Sequence, residues 1–129
     1  MPVAKQLSLF LENKPGVLAR LCHSFTEHKI NIQGLSISDT VDHAVVRLIP
    51  SDPDKAREML ESAGVLVVET EVLILNLPDK PGQLGAIADK LAKAKVNIEY
   101  AYGTTEEAGG NLILRVSDIK KAKSVLKLK

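Results

Sequence analysis

Aromatic residues make up only 3% of this 129-residue chain, tryptophan is absent and cysteine occurs once. A single cysteine excludes an internal disulfide framework, so the core has to rest on aliphatic packing. Charge of one sign is also missing: 17 basic and 16 acidic residues leave a net +1, which supplies no pull toward nucleic acid or an anionic membrane. The one lopsided stretch, "IKKAKSVLKLK" at the C-terminus, has no interleaved aromatics and reads as the solvated face of a terminal helix. No apolar run approaches membrane-spanning length, and the N-terminus enters an alternating strand pattern without a signal-peptide core. These absences predict a cytoplasmic protein with neither a nucleic-acid nor a membrane partner.

What is present is a repeat. "ENKPGVLARLCHSFTEHKINIQ", from Glu12 to Gln33, returns 66 positions later as "PDKPGQLGAIADKLAKAKVNIE". Aligned without a gap at that offset, the two halves share roughly sixteen identities, and self-similarity at one period marks a duplicated folding unit. A unit of about 60 residues buries only about 60% of its unfolded surface. The two halves, residues 1–69 and 70–129, should therefore lean on each other or on a second chain.

Each half changes period at the same place. In "KQLSLFLE" Leu7, Leu9 and Leu11 alternate with Gln6, Ser8 and Phe10, and "EVLILNLP" repeats the pattern with Leu73, Leu75 and Leu77. After Lys-Pro-Gly, Leu18, Leu21, Cys22 and Phe25 fall on one helical stripe, matched by Leu84, Ile87, Ala88 and Leu91. Pro15 and Pro81 suit a helix start. "QGLSISDT", with Leu35 and Ile37 on one face, and "HAVVRLI" then read as a hairpin turning at Asp42. A second helix opens at Ser51-Asp52-Pro53, Gly64 ends it, and "VLVVE" forms a fourth strand. The second half runs through "GNLILRV" and a helix capped by Asp118. Lys129 matches Ala63, which leaves no residues for a last strand.

This pattern predicts an α+β fold of two ferredoxin-like βαββαβ units, antiparallel sheets with helices on one face, the second unit lacking its last strand. The open sheet faces would carry Phe10, Val45 and Ile49 in one half and Ile74, Tyr100, Tyr102 and Ile113 in the other. Such apolar faces call for a covering sheet or partner. The bare edge of the strand Glu71–Leu77 likewise calls for cover, from the other half or from a second chain, with an obligate homodimer as the consequence.

Catalytic and metal motifs are missing. There is no nucleophile elbow, no phosphate-cradling glycine loop and no two-histidine metal helix. His23 and His28 stand five apart and read as surface residues; Cys22 lies on the apolar stripe and reads as inert. "EEAGGN", Glu106 to Asn111, is a hairpin loop. Tyr100 and Tyr102 could stack a base, but the third strand lacks a basic, aromatic companion, which favours packing between sheets. No enzyme activity, metal or cofactor is expected.

Strand, [Lys/Arg]-Pro-Gly, amphipathic helix and then Asn-Ile opening a strand resembles the ACT domain, here twice in tandem as "LENKPGVLARLCHSFTEHKINI" and "LPDKPGQLGAIADKLAKAKVNI". The resemblance implies a stand-alone, non-catalytic regulatory protein that binds a small ligand, an amino acid, at interfaces between ACT domains. It further implies pairing as a homodimer. Two other readings stay open: a regulatory subunit of a separate amino-acid biosynthetic enzyme, and an association module without ligand. In serine-sensing ACT domains contacts come from a His, an Asn two residues later and the Asn of Asn-Ile. Leu11, Asn13 and Asn31 stand at these positions here, and Leu77, Asp79 and Asn97 in the second half. The implied ligand site is Asn13, Lys14, Pro15, Gly16, Val17, Asn31 and Ile32, with Asp79, Gly82, Gln83 and Asn97 in the second copy. Asp79 would repel a carboxylate and attract an ammonium group. The physics of the loop agrees, because a helix N-terminus offers free N–H groups and partial positive charge, and Gly16 and Gly82 permit close approach. Each of these residues also has a purely structural reading: Lys-Pro-Gly as a rigid turn, and Asn31 and Asn97 as residues tolerant of unusual backbone angles.

Overall fold

The computed structural model of the chain describes residues 3–12, 14–39, 43–77, 80–103 and 110–127. Among these the elements are β1 (Val3–Glu12), α1 (Val17–Glu27), β2 (Ile32–Asp39), β3 (His43–Pro50), α2 (Pro53–Ser62) and β4 (Val67–Leu77), followed by α3 (Gln83–Lys93), β5 (Ile98–Gly103), β6 (Gly110–Val116) and α4 (Ile119–Val125). The chain divides into two compact units, Lys5–Thr70 and Met1–Ala4 together with Glu71–Lys129. The turn expected at Asp42 and most of the loop expected at Glu106–Asn111 lie outside the described residues; Gly110 and Asn111 belong to β6.

In the unit Lys5–Thr70 the strands lie in the order β2-β3-β1-β4, the ferredoxin-like order, with β3 antiparallel to both β1 and β2. The register sets Leu7 opposite Leu48 and Leu9 opposite Val46. Because alternate residues of a strand share a face, all four point to the layer where Leu21, Phe25, Ala56 and Leu60 of α1 and α2 complete the core. Leu35 and Ile37 pair with Leu48 and Val46 and so point the same way, yet stay 42% and 46% exposed. Their strand is the sheet's edge, where the helices cover less. On the opposite face Gln6 and Ile49 are buried, whereas Phe10 is 51% exposed. The apolar face is thus covered only in part.

The second unit has the order β1-β4-β6-β5, with β6 antiparallel to β4 and β5. Only the start of β1, Val3–Ala4, belongs to it, and Val3 packs against the core of Leu73, Leu75, Leu91, Leu114, Val116 and Ala122. No strand follows α4 among the described residues. The place of a fourth strand is taken by the beginning of the chain. The edge expected to be bare is therefore occupied by a strand from the first half, and this edge gives no argument for a second chain. The fourth strand of the first half and the first strand of the second are one continuous element, β4, as the lack of Gly or Pro from Val65 to Leu77 suggests.

The helix ends repeat. Ile30 N–H donates to Phe25 O and Val96 N–H to Leu91 O, both at 2.9 Å, while Lys29 and Lys95 take φ of +58° and +61°. These are Schellman ends. The left-handed angles expected at Asn31 and Asn97 fall two residues earlier, on lysines. Asn31 and Asn97 have a different structural role, described below.

Candidate functional site: the paired Lys-Pro-Gly loops

Both loops are the same turn. Val17 N–H donates to Lys14 O and Gln83 N–H to Lys80 O, each at 3.4 Å, with Gly16 and Gly82 at φ of +87° and +88°. Proline at the second position and a positive-φ glycine at the third define a type II turn. A Cβ built on either glycine meets no atom within 4 Å, so backbone angle, not crowding within the chain, demands glycine.

The turns leave two helix N-termini open. Gly16 and Gly82 occupy the N-cap positions of α1 and α3, no side chain caps either helix, and neither first turn holds an acidic residue. The contrast lies within the same chain: Asp52 Oδ1 accepts from Lys55 N–H at 3.1 Å on α2, and Asp118 Oδ1 accepts from Lys121 N–H at 3.0 Å on α4. Beyond the turn bonds of Val17 and Gln83, the first turns of the two helices behind Lys-Pro-Gly and their positive dipole ends thus have no anionic partner among the described residues. A carboxylate is the group that such a terminus accommodates.

Beside the first loop, Lys14 Nζ lies 2.7 Å from Glu12 Oε2. The hydrogen bond and charge of Lys14 hold the Glu12 carboxyl below its ordinary value, with smaller pulls from His43 and Arg20. Glu12 thereby tethers Lys14. The counterpart of Glu12 in the second loop is Pro78, which supplies no carboxylate. Asn13 and Asp79 lie outside the described residues.

Lys14, Pro15, Gly16 and Val17 stand together, as do Gly82 and Gln83, and all are exposed except the half-buried Val17 and Gln83. Asn31 and Ile32 do not join the first group within their unit. They lie beyond the other end of α1, whose 11 residues rise about 16 Å at 1.5 Å each. Asn97 is placed likewise beyond α3. Each Asn instead ties the start of a strand to the end of its hairpin partner. Asn31 N–H donates to Ser51 Oγ at 2.9 Å and Ser51 N–H returns to Asn31 O at 2.8 Å; Asn97 and Ser117 repeat the exchange at 2.9 Å in both directions. The doubled Ser-Asp at 51–52 and 117–118 was the signal for these serines. In each Ser-Asp the Asp caps the helix and the Ser ties the Asn.

Among the described residues no cluster of His, Cys, Asp and Glu could hold a metal, and no helix is long and apolar enough to cross a membrane. Cys22 is half-buried, and His23 and His28 are exposed.

A doubled type II turn feeding an open helix, in a doubled ferredoxin-like unit, agrees with what comparison finds. The family model of the ACT domain pair matches residues 1–129, and the chain belongs to this family. An ACT domain pair is a regulatory module. A crystal structure of protein BT0572 from Bacteroides thetaiotaomicron is 37% identical, with a TM-score of 0.91 over 98% of this chain and 88% of that one. The ligand-free regulatory subunit of aspartate kinase from Thermus thermophilus shares the fold at 16% identity and a TM-score of 0.72, covering 98% and 94%. The corresponding subunit from Thermus flavus does so at 18% and 0.67, again over 98% and 94%. No curated protein matches the sequence.

Proposed function

We propose that this chain is a non-catalytic regulatory protein that binds an amino acid at an interface between ACT domains and pairs as a homodimer. The observation that carries the reading is the pair of open helix N-termini behind Lys-Pro-Gly, in a chain whose other two described helices are capped by Asp. In this reading the N–H groups of Leu18 and Ala19, and of Leu84 and Gly85, receive the ligand's carboxylate. Asn31 and Asn97 have exposed side chains and lie a helix length from the loop of their own unit, so they would reach a ligand there only from another ACT unit. Association is supported by Phe10, Leu66 and Val68, apolar side chains left exposed in the unit Lys5–Thr70. A ligand shared by two domains would favour one packing over another through its differential affinity, and that coupling is what would make the protein a regulator.

A second reading is favoured by the solved neighbours. Regulatory subunits of aspartate kinase match this chain along nearly their whole length, and on this reading the regulated target is a separate enzyme of amino-acid biosynthesis. A thermal-shift panel of the twenty amino acids tests the first reading: a ligand at a hundredfold its Kd adds about 2.7 kcal/mol of stability. If all twenty leave the melting temperature unmoved, the amino-acid reading fails. A biosynthetic enzyme retained on the immobilised protein from the source cell would support the second.

A further inference from the structure

A cavity of about 220 Å³ opens between α1 and α2 in the unit Lys5–Thr70. Leu11, Leu21, Met59, Leu60 and Val65 form its walls, and its polar groups are Arg20 and Ser24. Leu11, Met59 and Val65 are only half-buried, so the groove leaves apolar surface in water at the margin of the core. Arg20 is exposed at its rim. Among the described residues no hydrogen bond or ion pair engages its guanidinium, although its charge reaches Glu12. Apolar walls with one cation and no carboxylate define the complement of an amphipathic anion.

We propose that this groove binds a small aliphatic monocarboxylate lacking an amino group. The hydrocarbon would replace water against Leu11, Met59 and Val65, and the carboxylate would take the guanidinium of Arg20, with Ser24 as a hydroxyl donor. An amino acid of the same skeleton is disfavoured: its ammonium group would leave water for a site lined by no acidic side chain. The site occurs once per chain. At the repeat offset the second unit has Ala86 for Arg20 and Gln83 for Val17, which also lines the groove. The groove shares Val17 with the first loop, but its anion partner is Arg20 rather than the helix N-terminus, and the inference does not rest on the loop reading above.

The test uses isocaproate, the leucine skeleton without its amino group, followed through the Met59 methyl signal in NMR. Only Met1 and Met59 contribute such signals, and Met59→Leu assigns the right one. We expect a saturable shift with isocaproate at one per chain. Arg20→Gln should weaken it about tenfold, the scale of one charge-assisted hydrogen bond. Ala63→Leu, at the exposed rim, should fill the groove and abolish the shift. Leucine should bind at least about tenfold more weakly at this site for want of an ammonium partner. An unmoved Met59 methyl, an undiminished response in Ala63→Leu, or leucine matching isocaproate would overturn the proposal. A Met59 shift with isocaproate stands even where all twenty amino acids leave the melting temperature unmoved, so a failure of one site is distinguishable from a failure of the other.

Discussion

Asn31 and Ser51 exchange two hydrogen bonds, one through the serine hydroxyl and one through its backbone N–H, and Asn97 and Ser117 do the same. Each pair locks the first residue of a hairpin to its last. Ser51→Ala removes the hydroxyl acceptor and leaves the Asn31 N–H to water. The expected loss is about 1 kcal/mol, read as a lower midpoint in urea with unchanged slope. Asn31→Ala keeps both backbone bonds and should cost less. A reversed ranking would mean that the Asn side chain carries the tie.

Positive φ angles separate two kinds of position. Gly16→Ala forces a Cβ onto φ of +87° and should destabilise by about 1 kcal/mol, although nothing crowds the site. Lys95→Gly does the opposite at φ of +61°, relieving strain at a helix end, for a gain of about 0.5 kcal/mol after the added chain entropy of glycine. Thermal melts of both variants should move in opposite directions.

Glu12 has a depressed pKa because of Lys14. The sign follows directly: the folded carboxyl ionises at lower pH than the unfolded one. Its stabilising contribution is therefore present above the unfolded pKa and is lost as pH falls through the folded value. Because the group is exposed, the effect on stability is small, and the titration itself is the better readout. In Lys14→Ala the Glu12 carboxyl, followed by NMR, should titrate at higher pH than in the parent. An unchanged midpoint would show that the pair does not form in solution.

Val3 belongs to the core of the unit Glu71–Lys129 despite its place in the chain. Val3→Ala should cost about 1 kcal/mol and accelerate hydrogen exchange at the amides of Leu73 and Leu75. Equal protection with and without the side chain would mean that β1 holds β4 through backbone bonds alone.

The periods were legible because they report burial directly. Leu7 and Leu9 alternate into the core, Leu21 and Phe25 sit four apart on a helix, and all four are buried. The stretch from Val65 to Leu77 reads as two strands, yet with no Gly or Pro to break it the two are one element, β4. What was hidden lacked a side-chain signature. Lys29 and Lys95 adopt left-handed angles because the hydrogen bonds of Ile30 and Val96 require them, and lysine does not advertise that conformation. Val3 and Ala4 form too short a stretch to signal a second sheet position. The candidate site was half legible: Lys14 to Val17 form the turn expected of them, while Asn31 lies a helix length away because α1 intervenes.

The use of Val3 and Ala4 by the C-terminal unit has a consequence for synthesis. These residues leave the ribosome before the rest of the first unit, yet their neighbours in β4 follow only after it. Domains ordinarily fold as each is completed, and the unit Lys5–Thr70 can do so once Thr70 has emerged. The second cannot close on its own residues. It has to retrieve a strand that precedes the whole of the first unit in sequence, a contact of high sequence separation and correspondingly slow formation. A cut between Thr70 and Glu71 would divide β4 and strand that piece on the wrong fragment. A strand made ahead of the first unit is thus placed only after the second has emerged.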